Sequence, residues 1–144
     1  MYITAQTLQD AFSKTVLIQL SNDDSRATAV NTDVIEKAIM VACERIDTAL
    51  RGRYRLPLTD VPELIKYHAL YLARHWLYAR RPESKMPDTV KETYAQTLKE
   101  LEQIATGRLH LGLIGVDDET HGNLLLDAGE FVVKAQTKTD LGAY

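Results

Sequence analysis

The sequence holds a single cysteine, Cys43, so it can close no intrachain disulfide and build no cysteine-based metal cluster. Glycine is scarce in most of the chain: of seven, only Gly52 precedes residue 107. Neither sign of charge dominates. Against 20 Asp and Glu stand 17 Lys and Arg, net −3, which argues against a general polyanion binder, since such domains usually carry a basic excess. No apolar run approaches the roughly 20 residues of a membrane span. The start, MYITAQTLQDAF, lacks the basic-then-apolar pattern of a secretory signal. Zinc-finger spacing, a Gly-rich phosphate loop and a Ser/His/Asp grouping are also missing. The sequence thus offers no positive argument for an enzyme, a cofactor, a metal or a membrane. It suggests a protein of the cytosol.

What is present is helical patterning. At 144 residues one domain with one core is expected. Thr4 is placed to cap a short helix over about 5–13, and Thr15–Leu20 reads as a short helix or an extended piece. Asn31 or Thr32 caps a helix over 32–51, with Ile35, Ala38, Ile39, Ala42, Ile46, Ala49 and Leu50 on one stripe. Pro62 starts the next, with Ile65, Ala69, Leu72, Trp76 and Ala79 as its stripe and Arg80 and Arg81 in its last turn. A fourth starts near Pro87 or Asp88, buries Val90, Tyr94, Leu98, Leu101, Ile104 and Ala105, and stops at Gly107. The fold class expected is all-α: three long helices plus a short N-terminal one in a bundle over 1–107.

Residues 108–144 differ. They hold six acidic side chains against three basic ones, and six of the seven glycines fall from Gly107 onward. Leu109, Leu111, Leu113 and Val116 alternate as in extended chain, and Leu124–Val133 around Asp127-Ala128-Gly129 reads as a β-hairpin. The expectation is a glycine-spaced acidic arm that docks on its own bundle or on a neighbour.

The segment RGRYRLPL, residues 51–58, has two readings. In the structural one, Arg51 complements the helix dipole, Gly52 takes a left-handed cap and Arg53 and Arg55 flank Tyr54 on an extended link. In the functional one, Arg51, Arg53, Tyr54 and Arg55 form a subunit or DNA contact, residue types enriched at interface hot spots; an anion clamp is a third, weaker option. Asp127, Glu130, Phe131 and Tyr144 in the arm are the complementary candidates. His68 and His75, seven apart, lack the spacing of a helical zinc pair and read as packed histidines. Asp117, Asp118, Glu119, Thr120 and His121 read as a solvated acidic loop without calcium-loop spacing, though they are the residues a metal enzyme would use. Tyr67, Tyr71, Trp76 and Tyr78 read as packing rather than base stacking, and Cys43 as core.

Ile46-Asp47, Arg53-Tyr54, Leu56-Pro57-Leu58, Pro62 and Leu64, set within MYITAQTLQDAF, LIQLSND, IDTALRGRYRLPL and VPELIKYHALYLARHWLY, resemble the Mu-like phage and prophage head-completion family over nearly all of residues 1–112. The resemblance implies a helical head–tail connector of the phage neck: a dodecameric ring below the portal, touching the portal protein and a tail-completion or tail-terminator protein, with DNA met only as it passes through. Leu141, Gly142 and Tyr144 keep the ending of that family, whereas Lys134 and Lys138 stand where it has arginine. A DNA-binding or packaging accessory is the alternative.

Overall fold

The computed structural model describes residues 1–115 of the 144-residue chain. Five α-helices dominate: α1 (Ala5–Ala11), α2 (Lys14–Ser21), α3 (Thr32–Leu50), α4 (Glu63–Ala79) and α5 (Asp88–Ala105). The described residues form no strand, only an isolated antiparallel bridge between Tyr54 and Gly115. The class is all-α.

Local chemistry sets the helix starts. At α1 the Thr4 hydroxyl accepts from Thr7 N–H at 3.1 Å and Thr7 Oγ1 accepts from Thr4 N–H at 3.3 Å, a reciprocal cap. Asn31 caps α3, accepting from Val34 N–H at 3.4 Å, with Asp33 in the first turn near the positive end of the dipole. Pro62 and Pro87 precede α4 and α5 in extended conformation; neither has an N–H to leave unmatched.

The expected helix over about 5–13 forms but stops at Ala11. Phe12 adopts φ −127°, ψ 161°, ending α1, and its ring lies 4.6 Å from the Arg74 guanidinium. The ambiguous stretch after it is helical, and α2 buries Leu17, Leu20 and Ser21.

α3 and α4 form the centre, α3 packing against all four other helices and α4 against α2, α3 and α5. Their expected stripes come out differently, a second difference. α3 buries the expected Ile35, Ala38, Ile39, Ala42, Ile46 and Leu50 on one face. α4 instead buries Leu70, Ala73 and Leu77 together with Ile65, Ala69 and Leu72, while Trp76 is half-buried and Ala79 exposed. On α5, Val90, Leu101 and Ile104 are buried as expected; Tyr94 and Leu98 are half-buried and Ala105 exposed. Thr97 takes a buried place, its hydroxyl bonded to Thr93 C=O at 2.8 Å. Each fully buried Leu or Ile contributes about 1.5–3 kcal/mol relative to exposure.

Gly107, at φ +81°, turns the chain out of α5. Residues 108–115 then alternate. Leu109, Leu111 and Leu113 are half-buried against the core and Gly115 is buried, while Arg108, His110, Gly112 and Ile114 are exposed. Residue 107 therefore ends a helix but not the packing. The expected hairpin around Asp127, and Asp117, Asp118, Glu119, Thr120, His121, Glu130, Phe131 and Tyr144, lie outside the described residues. No described helix is long and apolar enough to cross a membrane.

Candidate functional site

RGRYR closes α3 without a left-handed glycine. Among the described glycines only Gly107 and Gly112 have positive φ. The Leu50 carbonyl accepts from both Arg53 N–H and Tyr54 N–H at 2.9 Å, so the chain winds on through Arg51 in right-handed conformation and Gly52 needs no special cap. Tyr54 then turns inward and is 4 % exposed. Its hydroxyl accepts from Leu111 N–H at 3.0 Å, and its ring meets His110 edge-on. A residue this buried has almost no surface left for a neighbouring molecule, so Tyr54 acts as a latch for residues 109–115.

Arg53 is committed as well. Its Nε donates to the Ala105 carbonyl at 3.3 Å, at the negative end of α5. The guanidinium lies over Gly107, where a Cβ would stand 2.6 Å from Nη2. Arg51, Arg53 and Arg55 are all exposed; the Arg51 guanidinium lies 3.7 Å from Glu44, both exposed.

The two arginines after α4 behave similarly. Arg80 Nη1 donates to Leu20 C=O at 2.5 Å and Nη2 meets Asp23 at 3.0 Å. Arg81 Nη1 donates to Gln19 C=O at 3.0 Å and to Asn22 C=O, and its Nε binds Glu83. Together they satisfy the carbonyl end of α2. Sequence reasoning placed them at the end of their own helix and missed this reach. No local signal could have found it, because the acceptors lie about 60 residues away.

His68 is buried, and its Nε2 lies 2.7 Å from Glu100 Oε2. The carboxylate only accepts, so the ring proton sits on Nε2 and Nδ1 is left without a partner. Burial pushes the Glu100 carboxyl up, but hydrogen bonds from Gln96 and His68 outweigh it and hold the group below its ordinary value. His75 stacks on Tyr94 with centroids 3.5 Å apart, and burial, then Arg45, hold its pKa down. Both histidines are packed, as the spacing suggests. Cys43 is buried and accepts from Tyr2 N–H at 3.5 Å. The Tyr2 hydroxyl donates to Asp47; burial and that carboxylate push the phenol upward.

A groove of about 520 Å³ between the N-terminal segment, α3 and α4 is lined mainly by Met1, Ile3, Ala5 and Ile39, with Glu36 and Lys66. A second, of about 460 Å³, lies between α3 and α5. Lys66 is already held by Glu63 at 2.9 Å. Among the described residues no three His, Cys, Asp or Glu side chains are grouped to hold a metal. These surfaces offer shape and apolar contact.

Residues 2–124 match the model of the family described as Bacteriophage Mu, Gp36. The chain is 31% identical over 133 residues to the Mu-like prophage FluMu protein gp36 of Haemophilus influenzae, covering 90% of each. It is 31% identical over 112 residues to gene product J of Escherichia phage Mu, covering 78% of this chain and 77% of that protein. With a family match over most of its length and a relative aligned from nearly end to end, the chain belongs to the Mu Gp36 family of Mu-like phage proteins.

Proposed function

We propose that the protein is a structural component of the virion of a Mu-like phage or prophage, a head–tail connector. Copies form a ring below the portal, complete the DNA-filled head and join it to the tail. The protein is made in the bacterial cytoplasm and resides in the neck, between the portal protein and a tail-completion or tail-terminator protein. It works by shape and adhesion, and no bond is made or broken by its side chains.

The observation that carries this reading is the fastening of residues 109–115 to the helical body by Tyr54 and Leu111. It makes a compact body with a fixed point of departure for the acidic, apolar-containing stretch that follows. Ring closure needs two different surfaces on each copy. The body and that stretch supply them: Arg51 and Arg55 are among the body's exposed cations, and Asp127, Glu130, Phe131 and Tyr144 are the contacts proposed on the stretch. The charge balance fits a channel through which DNA slides, because every phosphate contact adds affinity. Arg53, Arg80 and Arg81 are engaged with carbonyls of the fold, which weakens the alternative of a DNA-binding accessory.

The test is deletion of the gene from an inducible Mu-like prophage. DNA-filled heads and separate finished tails are expected, with joining restored by the gene in trans and the protein present in purified wild-type virions. Normal joining without the gene, or virions that lack the protein, would overturn the reading.

A further inference from the structure

Arg74, on α4, is a half-buried cation whose charge no described side chain balances. Its Nη2 donates to the Thr93 hydroxyl at 2.7 Å. Its Nε is buried without a partner. The guanidinium carbon lies 4.6 Å from the centre of the Phe12 ring and 5.4 Å from that of Tyr71. No carboxylate among the described residues forms an ion pair with it, although Arg51, Lys66, Arg80 and Arg81 all have one nearby. Burial lowers its pKa, and the groups that oppose the shift are the phenols of Tyr71 and Tyr78, not acids. A desolvated charge without a counter-charge is costly. The two aromatic faces recover part of that cost.

The surroundings are those of a contact surface. Tyr67 stacks on Tyr71 with centroids 6.3 Å apart, and Tyr67 is 51 % exposed. Tyrosine and arginine side by side, partly desolvated, are the residue types on which protein interfaces concentrate their binding energy. The side chains one helical turn from Arg74 on either side, Leu70, Tyr71, Leu77 and Tyr78, carry no cation. A nucleic-acid backbone would call for several cations following its phosphates. A single guanidinium beside phenol rings suits one carboxylate with an apolar neighbour.

We propose that Arg74 and the Tyr67–Tyr71 pair receive a carboxylate from the 117–130 stretch of a second copy of this chain. Complementarity singles out that source. Residues 108–144 hold six acids against three bases, and Asp127 and Glu130 are followed directly by Phe131, which supplies an apolar ring for the tyrosines. The carboxylate takes Nη1, the terminal nitrogen of the guanidinium that Thr93 does not use. The inference rests on the connector reading in one respect, that copies of the chain touch one another.

The experiment uses the full chain with a photoreactive p-benzoylphenylalanine replacing Tyr67. Labelled (15N) and unlabelled chains are mixed, irradiated and digested. Expected are peptide pairs carrying one label of each kind, joining position 67 to a peptide within 116–144. The yield should fall about tenfold in Asp127→Asn/Glu130→Gln and in Arg74→Gln, as loss of a charge-assisted pair requires. The acidic double variant changes no described residue, so it answers even if Arg74→Gln unfolds. Links confined to one chain, links between chains that ignore both charge changes, or no links at all would overturn the proposal. If the links fail but the protein still sits at the head–tail junction, this site is wrong and the connector reading stands. Correct links in a protein absent from virions would have the reverse meaning.

Discussion

Two ends of the molecule are finished by arginine, and they use it alike from opposite sequence contexts. At one end Arg80 and Arg81, after α4, reach the carbonyls that close α2. At the other, Arg53, after α3, reaches the last carbonyl of α5. RGRYR has the composition of an anion grip and RRPES that of a helix terminus, yet both seal the negative end of another helix. The arginine that composition does not advertise, Arg74 within LARHW, is half-buried and forms no ion pair with an acid among the described residues. Where the acceptor lies decides an arginine's role, and the motif around it does not.

Removing the stronger seal is expected to have the largest effect. Arg80→Ala/Arg81→Ala strips several charged hydrogen bonds from a partly buried helix end, and should cost about 2–4 kcal/mol in urea unfolding. Gly107→Ala tests the other seal from beneath. A Cβ there must adopt φ +81° and displace the Arg53 guanidinium, so a loss of about 1–2 kcal/mol is expected. Tyr54→Phe keeps the packing but leaves Leu111 N–H unmatched. It should cost about 1 kcal/mol and speed amide exchange at Leu111 before exchange in α3 changes. The smallest change expected is that of Arg51→Ala, within about 0.5 kcal/mol, because its pairing with Glu44 is exposed on both sides.

The His68–Glu100 pair sharpens the comparison by being buried and acid-dependent. Glu100 is held below its ordinary value when folded. The folded state therefore binds that proton less readily than the unfolded chain does. The contribution is complete above the ordinary carboxylate pKa and is lost as pH falls through the depressed one. The stability of Glu100→Gln should accordingly fall less steeply than that of the wild type below about pH 4.3, measured by thermal unfolding across pH.

Much of this fold could be read from local rules. Thr4, Asn31, Pro62, Pro87 and Gly107 mark helix ends by their own chemistry, and the buried residues of α3 recur at helical spacing. The alternation from Leu109 to Leu113 holds in burial, although the backbone bends there, with Gly112 at φ +77°. Readings failed where the deciding contact was distant. Phe12 leaves the helix beside an arginine on α4, Trp76 yields its buried place to Leu77, and Gly52 needs no left-handed turn because Leu50 accepts twice. The candidate site divides the same way. Arg51, Arg53 and Arg55 are exposed, Arg53 with its Nε on the Ala105 carbonyl, whereas Tyr54 is buried in the fold. Arg74 was invisible in sequence because nothing local reveals a missing counter-charge.

The seal on α2 also fixes an order of events during synthesis. The two N-terminal helices leave the ribosome first, but the guanidiniums that close α2 belong to residues about 60 positions later. Until the end of α4 has emerged, those carbonyls lack the guanidiniums that close them. For that interval α1 and α2, which bury Leu8, Leu17 and Leu20 in the finished core, have α3 but not α4 to pack on. The first part of the chain to be made is thus among the last to be locked, and in the finished protein it is the part that native-state exchange should find opening first.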